Sequence, residues 1–269
     1  MSRAGHRTPG DARAALVIAH PGHELRLSRW VAAHHPTIHI LTAGSRSGDD
    51  GARVEASRGL AARLGATPGE IFGQRLDREV YAWIMAGDPA PFTSLADELA
   101  ESFVRQDLET VVTDAWQLYN PVHDLWSLTA QAAACLAAAR LGRPVACLDY
   151  PVVPRAMAQR SAGPLRLEMR LSPDEVDAKL ALAADYPAIA GEVAELLTAG
   201  GRAFLASETL HDPRPLGELT PAPGEVPLYE QYGEARVAAG RYGAVLRWRH
   251  VAPIAAALGA MLGETAVAA

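Results

Sequence analysis

The clearest pattern in the chain is a series of short apolar runs that end in turn residues. Residues 15–19 form one such run, with β-branched side chains, and Pro21-Gly22 follows it. A short run without polar alternation is typical of a central strand in a parallel sheet. A second run at 38–42 is followed by a loop rich in Gly, Ser and Asp at 44–51. The pattern therefore predicts two strands, each leading into a loop.

The segments around these strands have the length and composition of helices. Helices are predicted over 25–33 and over 52–64, the latter ended by Gly65. The alternation continues with helices over 95–104 and 125–141 and strands over 110–113 and 145–148. Such alternation implies right-handed βαβ crossovers. We therefore expect an α/β fold, a Rossmann-like parallel sheet with helices on both faces.

A strong helix-start signal opens the second part of the chain. Ser172 is placed as N-cap, Pro173 is at the first helical position, and Glu175 closes a capping box. A helix is predicted from 173 to 185. Another is predicted over 188–198, ended by a glycine pair.

The remaining chain is less regular. Residues 211–227 are rich in Pro and Gly and predict a long loop, and a last helix is expected after Pro253. No internal repeat is visible. With 269 residues, we expect a single domain over 1–269 with a flexible start at 1–13 and a less regular C-terminal part.

Composition narrows the functional class. The chain is 49% hydrophobic and 21% charged, which is typical of a globular protein, and its net charge of −6 disfavours nucleic acid as a partner. No segment has the length of a membrane span. Cys135 and Cys147 are the two cysteines, and we interpret them as reduced thiols, which favours a cytoplasmic protein. The sequence leaves open whether the chain forms a homo-oligomer.

Three of the nine histidines fall at or near the ends of predicted strands. His20 and His23 follow the first strand, and His123 lies in the loop after the third. Ligand sites of doubly wound sheets lie beyond the carboxyl ends of the strands, and three protein ligands plus water is usual for catalytic zinc. The pattern indicates one divalent metal, with zinc as our first choice. The alternative is that each histidine is a hydrogen-bonded loop residue.

Two motifs resemble a known family. The segment His20-Pro21-Gly22-His23-Glu24 resembles the signature of the PIG-L/LmbE-like de-N-acetylases, in which a strand ends in Ala-His-Pro-Asp-Asp-Glu. Tyr119-Asn120-Pro121-Val122-His123 resembles that family's second motif, Gly-His-Pro-Asp-His. Weaker likenesses at 55–65 and 179–186 extend the resemblance over residues 14–186. It implies that His20 and His123 match metal-binding histidines.

The motifs also depart from the family pattern. His23 stands where the family has a metal-binding aspartate, and Gly22 stands where it has the aspartate that acts as general base. Histidine is a suitable replacement ligand, whereas glycine cannot accept a proton. Three neutral imidazoles leave a zinc ion its full charge, which lowers the pKa of bound water to about 7. Asp114 and Asp124 are the carboxylates we consider as substitute catalytic groups, with loop or helix capping as the equally weighted alternative.

The resemblance implies a metal-dependent hydrolase, an N-deacetylase or related amidase, acting on a small N-acylated molecule such as an amino sugar or specialised metabolite. Arg53, Tyr119 and Asn120 are the predicted substrate-binding residues. A family member without deacetylase activity that binds a small molecule or metal is the alternative, favoured by Gly22. A different metal-dependent reaction in the same cleft is the third possibility.

Overall fold

The computed structural model describes residues 13–44 and 50–267 of the chain. Most of the predicted flexible start at 1–13, and residues 45–49 of the predicted loop at 44–51, lie outside the described residues.

The described residues form a seven-stranded sheet. Its order is β3-β2-β1-β4-β5-β7-β6, in which β1 to β5 pair in parallel while β7 runs antiparallel to both β5 and β6. The chain builds outward from β1 in one direction and then returns to add β4 and β5 on the other side. The strands are β1 Ala14–Ile18, β2 Thr37–Thr42, β3 Thr67–Arg75, β4 Thr110–Asp114, β5 Ala146–Tyr150, β6 Leu165–Arg170 and β7 Ser207–His211.

Helices cover both faces of this sheet. They are α1 Ser28–His34, α2 Asp50–Arg63, α3 Asp77–Ala86, α4 Ala90–Arg105, α5 Pro121–Leu141, α6 Pro173–Ala184, α7 Ala190–Leu205, α8 Leu228–Ala238 and α9 Trp248–Val267. Among the residues described, no helix is both long and apolar enough to cross a bilayer.

Alternating side chains of the central strands build two separate cores. Val17 of β1 packs in a cluster with Phe103 and Trp126, from α4 and α5. Its neighbour Leu16 packs on the opposite face with Trp30 of α1. The side chains of Leu16 and Val17 are both fully buried, as expected for a central parallel strand. The predicted α/β, Rossmann-like fold class is confirmed.

Three strands were missing from the sequence interpretation. The segment of β3 contains Gly69 and Gly73, which break the apolar pattern. The edge strand β6 alternates Leu and Met with charged residues and is mostly exposed, so no buried run marks it. Its partner β7 is polar as well. The helices α3 and α8 were also not predicted.

The C-terminal part agrees with the sequence for α6 and differs from it for α7 and α9. The Ser172 capping box is present, with Ser172 Oγ accepting a hydrogen bond from Glu175 N at 3.3 Å. The helix predicted to stop at the glycine pair continues to Leu205, with a kink at Gly201, where φ is 63°. Pro253 lies inside α9 rather than before it.

The predicted loop at 211–227 is less uniform than its composition suggested. His211 is the last residue of β7, and Leu216–Glu218 form a 3-10 turn.

A buried ion pair ties this C-terminal part to the first βα unit. Lys179 of α6 donates from Nζ to Glu208 of β7 at 2.6 Å and to the carbonyl of Arg26 at 3.0 Å. Glu208 also accepts from the backbone N–H groups of Arg29 and Trp30 at 3.1 and 2.9 Å. Burial lowers the pKa of Lys179 to about 8, although the Glu208 carboxylate opposes that shift. The start of α1 is therefore held by the Glu208 carboxylate of β7, which is paired with Lys179 of α6.

We predict that Lys179→Met lowers the free energy of unfolding by about 3–5 kcal/mol, because it leaves the Glu208 carboxylate buried without its cation. Urea unfolding measures this change. The exposed pair Arg63–Asp185, at 2.8 Å, is the matched control, and Arg63→Met should cost no more than about 1 kcal/mol. Similar small effects of both substitutions would contradict the prediction.

Candidate active site

The candidate site lies at the carboxyl ends of β1 and β4, which are neighbours in the sheet. The strand order reverses between these two strands, and ligand crevices of doubly wound sheets lie at such a point. His20 and His23 follow β1 across a turn at Gly22, whose φ of 102° is a conformation that favours glycine. His123 lies in the first turn of α5, which follows β4. The two loops predicted to converge do so.

The three imidazoles gather into one cluster. Ring centroids are 5.5 Å apart for His20 and His23, 5.0 Å for His20 and His123, and 4.6 Å for His23 and His123. Each residue is at least nine-tenths buried. Each of the three rings therefore lies next to both of the others.

His23 is oriented by a buried carboxylate. Its Nδ1 lies 3.0 Å from Oδ2 of Asp114. Asp114 also accepts from the backbone N–H of Ala19 and from the Tyr150 hydroxyl, each at 2.9 Å. Burial alone would raise the pKa of Asp114, but the His23 ring beside it holds that pKa below the ordinary value. The ionised carboxylate only accepts, so Nδ1 of His23 carries a proton, and in the neutral form of the ring the lone pair is on Nε2.

His20 is held in a similar way by a hydroxyl. Its Nδ1 lies 2.7 Å from Thr42 Oγ1, and Thr42 Oγ1 also lies 3.4 Å from the carbonyl oxygen of Ala19, to which it donates. With the hydroxyl donating to Ala19, Thr42 Oγ1 is an acceptor for Nδ1–H of the ring, and in that neutral tautomer the lone pair is on Nε2. Asp77 Oδ1 is 3.6 Å from the same Nδ1.

Asp77 is the site residue that the sequence interpretation missed. It is the first residue of α3, directly after β3, and its side chain is 23% exposed. A strand predicted over 67–75 would have placed this carboxylate at the end of a strand next to β2. The other candidate residues also follow the ends of strands. The polar, glycine-containing β3 gave no such signal.

The surroundings of His123 favour its neutral form. Burial, followed by the nearby rings of His23 and His20, lowers its pKa well below the ordinary value. A neutral imidazole is the form that binds a metal.

The cluster fits a shared metal ion in part. Three imidazoles on one tetrahedral ion have ring centroids roughly 5 Å apart, and the observed separations are close to that. The two Nδ1 partners described above are the outer contacts that metal-binding histidines usually have. However, among the described residues no group of three or more His, Cys, Asp or Glu side chains has its ligand atoms arranged to hold a metal. The three rings are therefore close together without forming a ready metal site.

Asp124 faces the loop backbone. Its Oδ1 accepts from the N–H groups of Gln117 and Leu118 at 2.9 and 3.3 Å. Burial raises the pKa of Asp124 to about 8, although these two hydrogen bonds oppose that shift. These contacts fix the loop that leads from β4 to His123.

Arg53 is buried and bound by protein groups. Its guanidinium forms a two-point ion pair with Glu192, with both N···O distances 2.9 Å, and donates to the carbonyls of Pro21 and Gly44 at 3.0 and 2.8 Å. It therefore clamps the two loops that follow β1 and β2. Arg53 was predicted to bind substrate, but the hydrogen bonds described here all join it to protein groups.

The other two predicted substrate-binding residues flank His123. Asn120 is the N-cap of α5, and its Oδ1 accepts from Val122 N at 2.9 Å. The Tyr119 ring lies 6.3 Å from the His123 ring and 6.1 Å from the ring of Tyr232 in α8. Tyr119 is thus placed beside the cluster, while Asn120 has a capping contact.

The position of the family's general base is closed. A Cβ at Gly22 would lie 2.8 Å from Cγ2 of Ile189, which is too close for van der Waals contact. The backbone N–H of Gly22 donates to Glu24 Oε2 at 2.8 Å and to Ser57 Oγ at 3.1 Å. Glu24 is fully buried, and its other oxygen accepts from Ser57. The turn is packed around a residue that has no side chain.

Comparisons with known proteins give a match at the level of structure alone. No protein-family model and no curated protein matches the sequence. A conserved protein of Thermus thermophilus, TT1542, is similar with a TM-score of 0.50 and 19% identity, over 76% of this chain and 95% of that one.

Two further structures are a deacetylase in the biosynthesis pathway of teicoplanin and the zinc-inhibited form of teicoplanin deacetylase Orf2. The first has a TM-score of 0.48 and 17% identity, over 74% of this chain and 96% of that chain. The second has a TM-score of 0.46 and 12% identity, over 74% and 97%. At such identities a likeness concerns the fold, and the described residues share theirs with the Thermus protein.

Proposed function

We propose that this protein is a metal-dependent hydrolase that removes an acyl group from the nitrogen of a small molecule. The observation that carries the proposal is the cluster of His20, His23 and His123 at the point where the strand order reverses. The motif resemblance at the ends of β1 and β4 supports the choice of amide hydrolysis over other metal-dependent reactions.

In this proposal the three imidazoles hold one divalent ion, for which zinc is our first choice, through Nε2 of His20 and His23 and a ring nitrogen of His123. When bound, such an ion polarises a carbonyl and makes water nucleophilic near neutral pH. Asp114 and Thr42 hold the first two rings in the required tautomer. Neither needs to contact the substrate.

We assign proton transfer to Asp77. Asp114 has three hydrogen-bond donors around its carboxylate, and Asp124 accepts from loop N–H groups. Both therefore act as positioning residues in this proposal. Asp77 adjoins His20 and retains exposed surface, so a substrate amide at the cluster would lie within its reach.

A second function is favoured by a specific observation. Ile189 occupies the space beside Gly22, and the ligand atoms are not arranged for a metal among the described residues. Both features suit a protein that binds a small molecule at the cluster without hydrolysing it. Metal content and turnover distinguish the two functions.

The metal assignment predicts that protein purified without chelator contains about one divalent ion per chain. His123→Ala should lose most of it, because it removes one of three ligands. His34→Ala is the control, since that ring stacks on Trp30 away from the site. Metal content is measured by elemental analysis of the unmodified protein and both variants. Full metal retention by His123→Ala would contradict the assignment.

The two aspartates should give opposite results. Asp114→Asn should weaken metal affinity by about 10–100-fold, because the His23 ring loses the carboxylate that orients it. Asp77→Asn should keep the metal and lose about 10²–10⁴-fold in turnover on the best substrate of an N-acylated panel. Metal titration followed by turnover assays measures both. If Asp77→Asn retains full turnover, another group transfers the proton.

The packing around Gly22 predicts that the family's aspartate cannot simply be restored. Gly22→Asp should lower the free energy of unfolding by about 1–3 kcal/mol, owing to the positive φ and the contact with Ile189, and should not raise turnover. The control is Gly59→Ala, in exposed helix with open space around the new methyl group, which should gain about 0.5–1 kcal/mol. Urea unfolding and turnover are measured together. A stable, more active Gly22→Asp protein would show that the turn accommodates a carboxylate.

A further inference from the structure

The tyrosines beside the cluster form a continuous aromatic surface. From His123, the Tyr119 ring follows at 6.3 Å and the Tyr232 ring at a further 6.1 Å, the latter pair in an edge-to-face arrangement. Tyr119 is half-buried against the core, whereas Tyr232 is 50% exposed. The surface thus leads from the buried imidazoles to solvent.

This surface is held rigidly. The first residue of α8, Leu228, donates from its backbone N–H to the carbonyl of Leu118 at 3.1 Å, next to Tyr119. The same N–H lies 3.0 Å from Oε1 of Gln159, and Gln159 donates from its own backbone to the carbonyl of Gln117 at 3.1 Å. The helix that holds Tyr232 is therefore fixed to the loop that holds Tyr119.

Polar side chains near the start of α8 are bound to one another. Arg160 and Glu225 form a two-point ion pair, and the Gln159 amide donates to Glu225 and accepts from Leu228. These polar groups are paired among themselves, whereas the Tyr232 side chain is 50% exposed.

The geometry points to an aromatic platform, formed by Tyr119 and Tyr232, that binds an aryl group of the substrate next to the histidine cluster. Aromatic rings pair best in offset-stacked or edge-to-face arrangements with centroids 4.5–7 Å apart, and an aryl ring on Tyr232 extends the series already present. The inference rests on the proposed function only for the location of the reacting amide. It adds that the substrate is an N-acyl compound with an aryl substituent.

Binding of a matched pair of amides tests the platform. The probes are N-phenethylacetamide and N-ethylacetamide, titrated by ligand-observed NMR against the unmodified protein, Tyr232→Ala and Tyr232→Phe. We expect the phenethyl compound to bind the unmodified protein more tightly than the ethyl compound. Tyr232→Ala should remove roughly 3- to 10-fold of its affinity, while Tyr232→Phe, which keeps the ring, should retain it.

Tyr242 supplies the matched control. It is 55% exposed and its ring contacts Arg236 rather than the tyrosines of the site, so Tyr242→Ala should leave both affinities unchanged. Equal binding of the two amides, undetectable binding of the phenethyl amide, or the same loss in both alanine variants would overturn the platform. Acetate release is followed separately. If the protein binds the aryl amide preferentially but releases no acetate, the hydrolase proposal is contradicted and the platform is supported. If it releases acetate without preference for the aryl amide, the platform is contradicted and the hydrolase proposal is supported.

Discussion

The hydrogen bonds around Asp114 join three neighbouring segments at one buried carboxylate. The donors are the backbone of Ala19 after β1, the ring of His23 in the turn, and the hydroxyl of Tyr150 at the end of β5. A buried carboxylate is tolerated only when its oxygens are satisfied. Loss of any one donor would leave the buried carboxylate with fewer hydrogen bonds, which would destabilise the whole arrangement. The position of His23, and with it the cluster, depends on this one group.

The sequence predicted the part of the fold that surrounds Asp114 because burial leaves a simple signature there. The runs of β1 and β4 are buried on both faces. His20 and His23 follow β1 closely, and His123 lies in the first turn of the helix after β4. The edge strand β6 lacks that signature because it is exposed on both faces. The contact of Asp77 with His20 depends on β3, which was not recognised, so the strand end that carries this carboxylate could not be placed.

The turn at Gly22 shows why a motif does not transfer residue by residue. In the family that the motif resembles, a carboxylate extends from this position, whereas here Ile189, from the segment before α7, fills that space. Arg53 holds the same turn through the carbonyl of Pro21, and its Nη2 would lie 3.8 Å from a Cβ at Gly22. Since both contacts come from elements distant in sequence, the closed space could not be recognised from the motif. In this chain the glycine at position 22 and the packing of Ile189 fit each other.

The charge state of His123 follows from the same packing. Burial disfavours its charged form, and a positive charge on the neighbouring rings of His23 or His20 would add repulsion at low effective dielectric. The pKa of His123 therefore lies well below its ordinary value. The ionised Asp114 carboxylate lies beside this cluster, and a buried negative charge favours a cation nearby. The Asp114 and Thr42 hydrogen bonds orient two of the three rings, and such an orientation would serve a metal-binding protein with or without hydrolytic activity.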